Sequence, residues 1–191
     1  AGYIAEAHCQ EIRLSIEPKL REKYAHATPQ QKYRIAAENP RKLDVIKRLL
    51  ERHHDDQVLI IGQYVQQLEQ VAKELDVPLI TGKVAERDRE LLYDRFKNGT
   101  LKRLVVSKVA NFAVDLPDAN VAIQISGTFG SRQEEAQRLG RILRPKEREN
   151  EAFFYTLITR DTREQEFAMH RQLFLVEQGY RYDIVDVDVI P

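Results

Sequence analysis

From residue 57 onward the apolar positions of this chain switch back and forth between two spacings. Val58-Leu59-Ile60-Ile61 is a continuous apolar run, as expected of a parallel strand buried on both faces. Val65, Leu68, Ala72 and Leu75 then recur on one stripe, which predicts an amphipathic helix from about Gln63. Leu79-Ile80 reads as a short strand and Thr81-Gly82 as a turn. Arg87 to Asn98 is predicted helical, with Leu91, Leu92, Arg95 and Phe96 at helical spacing, and Asn98-Gly99 stops it. Leu104-Val105-Val106, the run Val121 to Ile125, and Ala152 to Ile158 are further strands. Asp161 with Glu164 opens a long last helix that carries Phe167, Leu173, Phe174 and Val176, with His170 as a structural residue within it. Val185, Val187 and Val189 alternate with Asp186 and Asp188, an edge strand or an extended end.

Before residue 57 the pattern is more charged. Glu11 to Ile16 alternates polar and apolar, which predicts a half-buried strand. Thr28-Pro29-Gln30-Gln31 offers a cap, a proline at the first helical position and a box-closing glutamine. Asn39-Pro40 starts another helix, with Leu43, Ile46, Leu49 and Leu50 on one face. Residues 1–40 read as an approach arm and residues 41–191 as the domain. Strands alternating with helices through short loops give an α/β fold, a parallel sheet flanked by helices on both faces. Ligands of such sheets gather beyond the carboxyl ends of the strands. There the sequence places Gln63 and Tyr64, Thr81 and Gly82, Ser107 and Lys108, and Ser126 to Thr128.

Composition narrows the classes. Lys+Arg and Asp+Glu both total 30, so there is no global basic field, and any nucleic-acid contact must come from a local patch or a partner domain. No apolar run approaches the length of a membrane span. The opening Ala-Gly-Tyr-Ile-Ala-Glu has no signal-peptide pattern and lacks Met, as a fragment would. The single cysteine, Cys9, rules out an internal disulfide and reads as a packed thiol. His53-His54-Asp55-Asp56 looks at first like a metal cluster. Four adjacent residues cannot all face one ion on a helix, so the run reads as a solvated helix end, and no metal site is expected.

The stretch Ser131 to Pro145 carries the candidate chemistry. Ser131 with Glu134 has the form of a capping box, and Pro145 ends the predicted helix. At about 100° per residue, Gln137, Arg141 and Arg144 fall within roughly 60° of one another, opposite Leu139, Ile142 and Leu143. Two arginines one turn apart can hold two oxygens of one phosphate, because each is permanently charged and its planar fork matches phosphate geometry. Gly140 inside the helix costs about 1 kcal/mol relative to Ala, which suggests close approach of a backbone or ligand.

Gln137, Gly140, Arg141 and Arg144 resemble motif VI of superfamily 2 helicases, Gln-x-x-Gly-Arg-x-x-Arg, and the flanking residues resemble the XPB branch. Val105 to Pro117 resembles motif V, which implies a nucleic-acid phosphate contact at Ser107 and a nucleotide-side carboxylate at Asp115. Ala113 and Ser107 stand where many members have Gly and Thr. Gly2-Tyr3-Ile4-Ala5 and the run Arg171 to Tyr180 extend the resemblance over nearly the whole chain. The resemblance implies a C-terminal RecA-like lobe, a P-loop NTPase-like fold without the P-loop. No Gly-x-x-x-x-Gly-Lys-Ser/Thr and no Asp-Glu-x-His occurs. ATP and Mg2+ would therefore bind mainly on a first RecA-like lobe, with Arg141 and Arg144 reaching across and Gln137, Gly140 and Asp115 facing the nucleotide. Ser107, Lys108, Thr81 and Lys83 would grip DNA. The implied activity is 3′–5′ DNA translocation in repair or transcription, in a prokaryotic nucleoid or a eukaryotic nucleus, with the chain inactive alone. A scaffold for a repair nuclease, or another superfamily 2 translocase, is the alternative.

Overall fold

A computed structural model describes residues 7–107, 119–127 and 151–187. Its strands are β1 (Ala7–Leu14), β2 (Val58–Gly62), β3 (Leu79–Ile80), β4 (Arg103–Ser107), β5 (Val121–Gln124), β6 (Ala152–Thr159) and β7 (Arg181–Asp186). Its helices are α1 (Pro18–Ala25), α2 (Pro29–Ala37), α3 (Lys42–Arg52), α4 (Val65–Leu75), α5 (Glu86–Lys97) and α6 (Arg163–Glu177). The strands form one seven-stranded sheet in the order β3-β4-β2-β5-β6-β1-β7, and every pairing is parallel.

Side-chain alternation sorts the core into two faces. Val58 and Ile60, Val105, Val121 and Ile123, Tyr155 and Leu157, and Ile12 and Leu14 pack with α3 and α4. Their neighbours point the other way. Leu59, Ile61, Leu104 and Val106 meet Tyr93 and Phe96 of α5, while Cys9, Ala122, Ala152 and Phe154 meet Leu175 of α6. Both faces of the sheet are thus covered, which explains why β2 is buried at all five positions.

The expected boundary near residue 40 does not divide the sheet. β1 lies between β6 and β7, and Cys9, Ile12 and Leu14 are core residues. α1 buries none of its residues, yet it is fastened down. Arg21 donates to the carbonyls of Arg160 and Asp161 at 2.9 Å each, and the Arg163 amide donates to Tyr24 Oη at 2.8 Å. The charge of residues 17–34 belongs to a helical pair laid over the end of the sheet.

One further expectation is corrected. His53 is buried, not solvated. Its Nδ1 lies 2.7 Å from Asp56 Oδ2 and its Nε2 2.6 Å from Tyr155 Oη, whereas His54 and Asp55 stand in solvent. On α6 the buried positions are Glu164, Ala168, Arg171 and Leu175. Leu173 and Val176 are 61% and 52% exposed.

Candidate functional site

The chain leaves β2 towards one edge of the sheet and leaves β5 towards the other. A ligand crevice is expected beyond the carboxyl ends of the strands at that reversal. Three residues singled out in the sequence lie along this row. Ile80 pairs with Val106, so Thr81 falls beside Ser107, and Ser107 pairs in turn with Gly62. Neighbouring strands are about 4.8 Å apart, so Thr81 and Ser107 sit within the span of one phosphodiester. Thr81 opens a turn in which its hydroxyl accepts from the Lys83 amide at 3.3 Å and its carbonyl from the Val84 amide at 3.1 Å. That turn leaves Lys83 exposed. Ser107 is wholly buried. Lys108, Asp115, Gln137, Gly140, Arg141 and Arg144 lie outside the described residues.

Of the other residues expected on this row, Ser126 turns inward. It is 1% exposed, and its hydroxyl accepts from the Gln63 amide at 2.7 Å. Tyr64 is half-buried, with the Arg34 guanidinium 5.0 Å from its ring centroid. Arg34 also pairs with Glu38 and reaches Gln66.

Behind the row lies a buried polar cluster that was not read from the sequence. Lys42 Nζ donates to the Ile125 carbonyl and to Glu164 Oε2, both at 2.7 Å. Glu164 Oε1 accepts from the Thr159 amide at 2.8 Å. Asn39 Nδ2 donates to the Ser15 carbonyl at 3.0 Å and to Thr159 Oγ1 at 3.1 Å, and Thr159 Oγ1 donates to the Ala36 carbonyl at 2.7 Å. Burial lowers the Lys42 pKa, and the Glu164 carboxylate opposes that shift. One signal was available. Lys42 occupies the first position of the stripe Lys42, Val45, Ile46, Leu49, Leu50, where a solvated lysine has no place.

Among the described residues, the buried carboxylates are already paired. Glu164 is committed to Lys42 and Thr159, and the fully buried Glu11 takes Arg13 Nε and Tyr182 Oη at 2.6 Å each. Among the described residues, no cluster of three or more His, Cys, Asp or Glu could hold an ion.

The chain matches the family model of the ERCC3/RAD25/XPB C-terminal helicase over residues 1–189. It is 51% identical over 189 residues to the DNA 3'-5' helicase XPB of Kineococcus radiotolerans, covering 99% of this chain and 34% of the relative. It is 51% identical over 187 residues to the DNA 3'-5' helicase XPB of Mycobacterium tuberculosis, covering 98% and 34%. The chain thus spans about a third of the length of these curated relatives. Its fold is similar to the C-terminal domain of the DEAD-box protein Dbp5, with a TM-score of 0.67 at 13% identity, covering 97% of this chain and 93% of that one. The parallel sheet, its two covered faces and the row of strand ends agree with these matches: the chain belongs to the ERCC3/RAD25/XPB C-terminal helicase family.

Proposed function

We propose that this chain is the second motor lobe of an ATP-dependent 3′–5′ DNA helicase or translocase that works in DNA repair or transcription. The observation that carries the reading is the family match over residues 1–189. The first RecA-like lobe of the same polypeptide holds ATP and its Mg2+; among the described residues, the buried carboxylates Glu11 and Glu164 are already paired. Arg141 and Arg144 reach across the cleft and stabilise charge on the transferring phosphate, with Gln137, Gly140 and Asp115 on the nucleotide side. An arginine finger contributes about 10³- to 10⁵-fold in rate, or roughly 4–7 kcal/mol of barrier. A surface ion pair contributes about 0–1 kcal/mol to stability, so loss of catalysis and loss of fold can be told apart.

Thr81 and Lys83 offer a hydroxyl and an exposed ammonium to one stretch of DNA backbone, beside Ser107 and Lys108. Contacts of this kind position a strand without reading its bases. Exposed or half-exposed Lys19, Lys23, Lys32 and Arg34 on α1 and α2 provide the local cationic surface that a chain of zero net charge needs. A transcription complex or a repair nuclease is the further partner this reading expects, in the nucleoid of a prokaryote or the nucleus of a eukaryote.

The test compares ATP turnover by the isolated chain and by its parent protein, each with and without DNA. The parent hydrolyses ATP faster with DNA, and the isolated chain does not turn over. DNA-independent hydrolysis by the pure chain would overturn the division of labour between lobes.

A further inference from the structure

The two helices laid over the end of the sheet leave a groove between them. α1 buries none of its residues, and α2 buries only Tyr33, Ala36 and Ala37. Leu20, Ala27 and Ile35 are left half-buried. They form the floor of a groove of about 550 Å³, within the range of roughly 300–1,000 Å³ that ligand sites occupy. Exposed Lys23, His26 and Arg34 line its mouth.

The groove is built before any ligand arrives. Arg21 anchors α1 to the carbonyls of Arg160 and Asp161. Tyr24 Oη accepts from the Arg163 amide, and α2 starts from the Thr28 capping box. A preformed site loses little binding energy to ordering.

Charge and shape narrow the occupant. Residues 17–41 hold six Lys and Arg against three Glu, in a chain of zero net charge. The groove's own carboxylate, Glu38, is paired with Arg34 Nε, and Arg34 Nη2 reaches Gln66 Oε1. A carboxylate entering the mouth therefore meets Lys23 and the remaining Nη1 group of Arg34. Nucleic acid would bring phosphates, but its bases seek open aromatic faces. Each nearby ring already has a cation of this chain over it. Arg21 and Lys32 lie 5.5 and 5.6 Å from the Tyr24 centroid, and Arg34 lies 5.0 Å from that of Tyr64. An aliphatic floor under a cationic mouth suits a peptide that carries both a bulky apolar side chain and carboxylates.

We propose that the groove between α1 and α2 docks an acidic segment of a partner protein, with a bulky apolar side chain over Leu20 and Ile35 and carboxylates at Lys23 and Arg34. This goes beyond the motor reading and does not depend on it. The DNA surface proposed above uses the cations alone, whereas the docked segment uses the cations and the apolar floor together.

The test pans a displayed library of random short peptides on the full-length protein. Enriched sequences should combine Asp or Glu with Leu, Ile, Phe or Met. The most enriched peptide is then titrated by fluorescence anisotropy against wild type, Lys23→Glu and Leu20→Ser, beside a single-stranded DNA oligonucleotide. Each substitution should weaken the peptide about tenfold or more, the ordinary effect of losing an interface anchor. Leu20→Ser should leave DNA affinity nearly unchanged, whereas Lys23→Glu should lower it. Leu20 stands on a helix that buries nothing, so its variant should fold; if it does not, Ile35→Ser removes the same floor from α2. Enriched peptides with no acidic excess, or a peptide that binds both variants as it binds wild type, overturn the proposal. DNA that weakens in the floor variant as much as the peptide does would make the groove a nucleic-acid site, and that also overturns it.

Discussion

At the scale of single residues, stability turns on polar groups buried with specific partners. Removing one member of a buried ion pair leaves an uncompensated charge, at a cost of about 3–5 kcal/mol. Lys42→Met should therefore destabilise the chain severely. Lys42→Met with Glu164→Gln should be milder than the sum of the two single changes, because the glutamine can still accept from the Thr159 amide. A double-mutant cycle by denaturant unfolding reads this coupling directly. Tyr155 tests the other buried cluster. Its hydroxyl is held by His53, and burial pushes its pKa up to about 12 from an ordinary value of 10.0. Above pH 10 the unfolded chain releases this proton and the folded chain keeps it. Stability from this group is thus fully present below pH 10 and is lost between pH 10 and 12. The loss is on the order of 2–3 kcal/mol, and Tyr155→Phe should lose that much less than wild type across the same interval. Cys9 is simpler. Burial raises its thiol to about 12, so a thiol reagent at pH 8 should leave it untouched until the chain unfolds.

At the scale of elements, what was legible followed from local rules. The box at Thr28 forms as its residues dictate: Thr28 Oγ1 accepts from the Gln31 amide at 3.3 Å, and Gln31 Oε1 accepts from the Thr28 amide at 3.0 Å. Thr28→Ala should cost about 1 kcal/mol, or a thermal midpoint about 2–4 °C lower for a domain of this size. The apolar runs of β2, β4 and β5 were equally plain, because strands buried on both faces need no alternation. Legibility failed where a polar residue holds a core position. On α6 the apolar residues Leu173 and Val176 face solvent, while Glu164 and Arg171 are turned inside. Glu164 finds its cation 122 residues away on α3. His53 was misread in the same way, since its nearer partner, Asp56, is local but Tyr155 is 102 residues distant. Spacing along one segment cannot announce a partner that only the sheet brings near.

At the scale of the whole molecule, the fold places Thr81, Ser107 and Gln63 along one edge because parallel strands all end on the same side. The fold class and the strand-end row could be inferred from alternation alone. The integration of residues 7–40 could not, because β1 enters the sheet between β6 and β7, the pairing most distant in sequence. The claim that gives this architecture its purpose is that Arg141 and Arg144 act on a phosphate held by another lobe. Steady-state ATP turnover of the full-length protein carrying Arg141→Ala or Arg144→Ala, at saturating DNA, tests it most directly. The account predicts that turnover falls by about a thousandfold or more while the thermal midpoint stays within a few degrees of wild type. Wild-type turnover in either variant would contradict it.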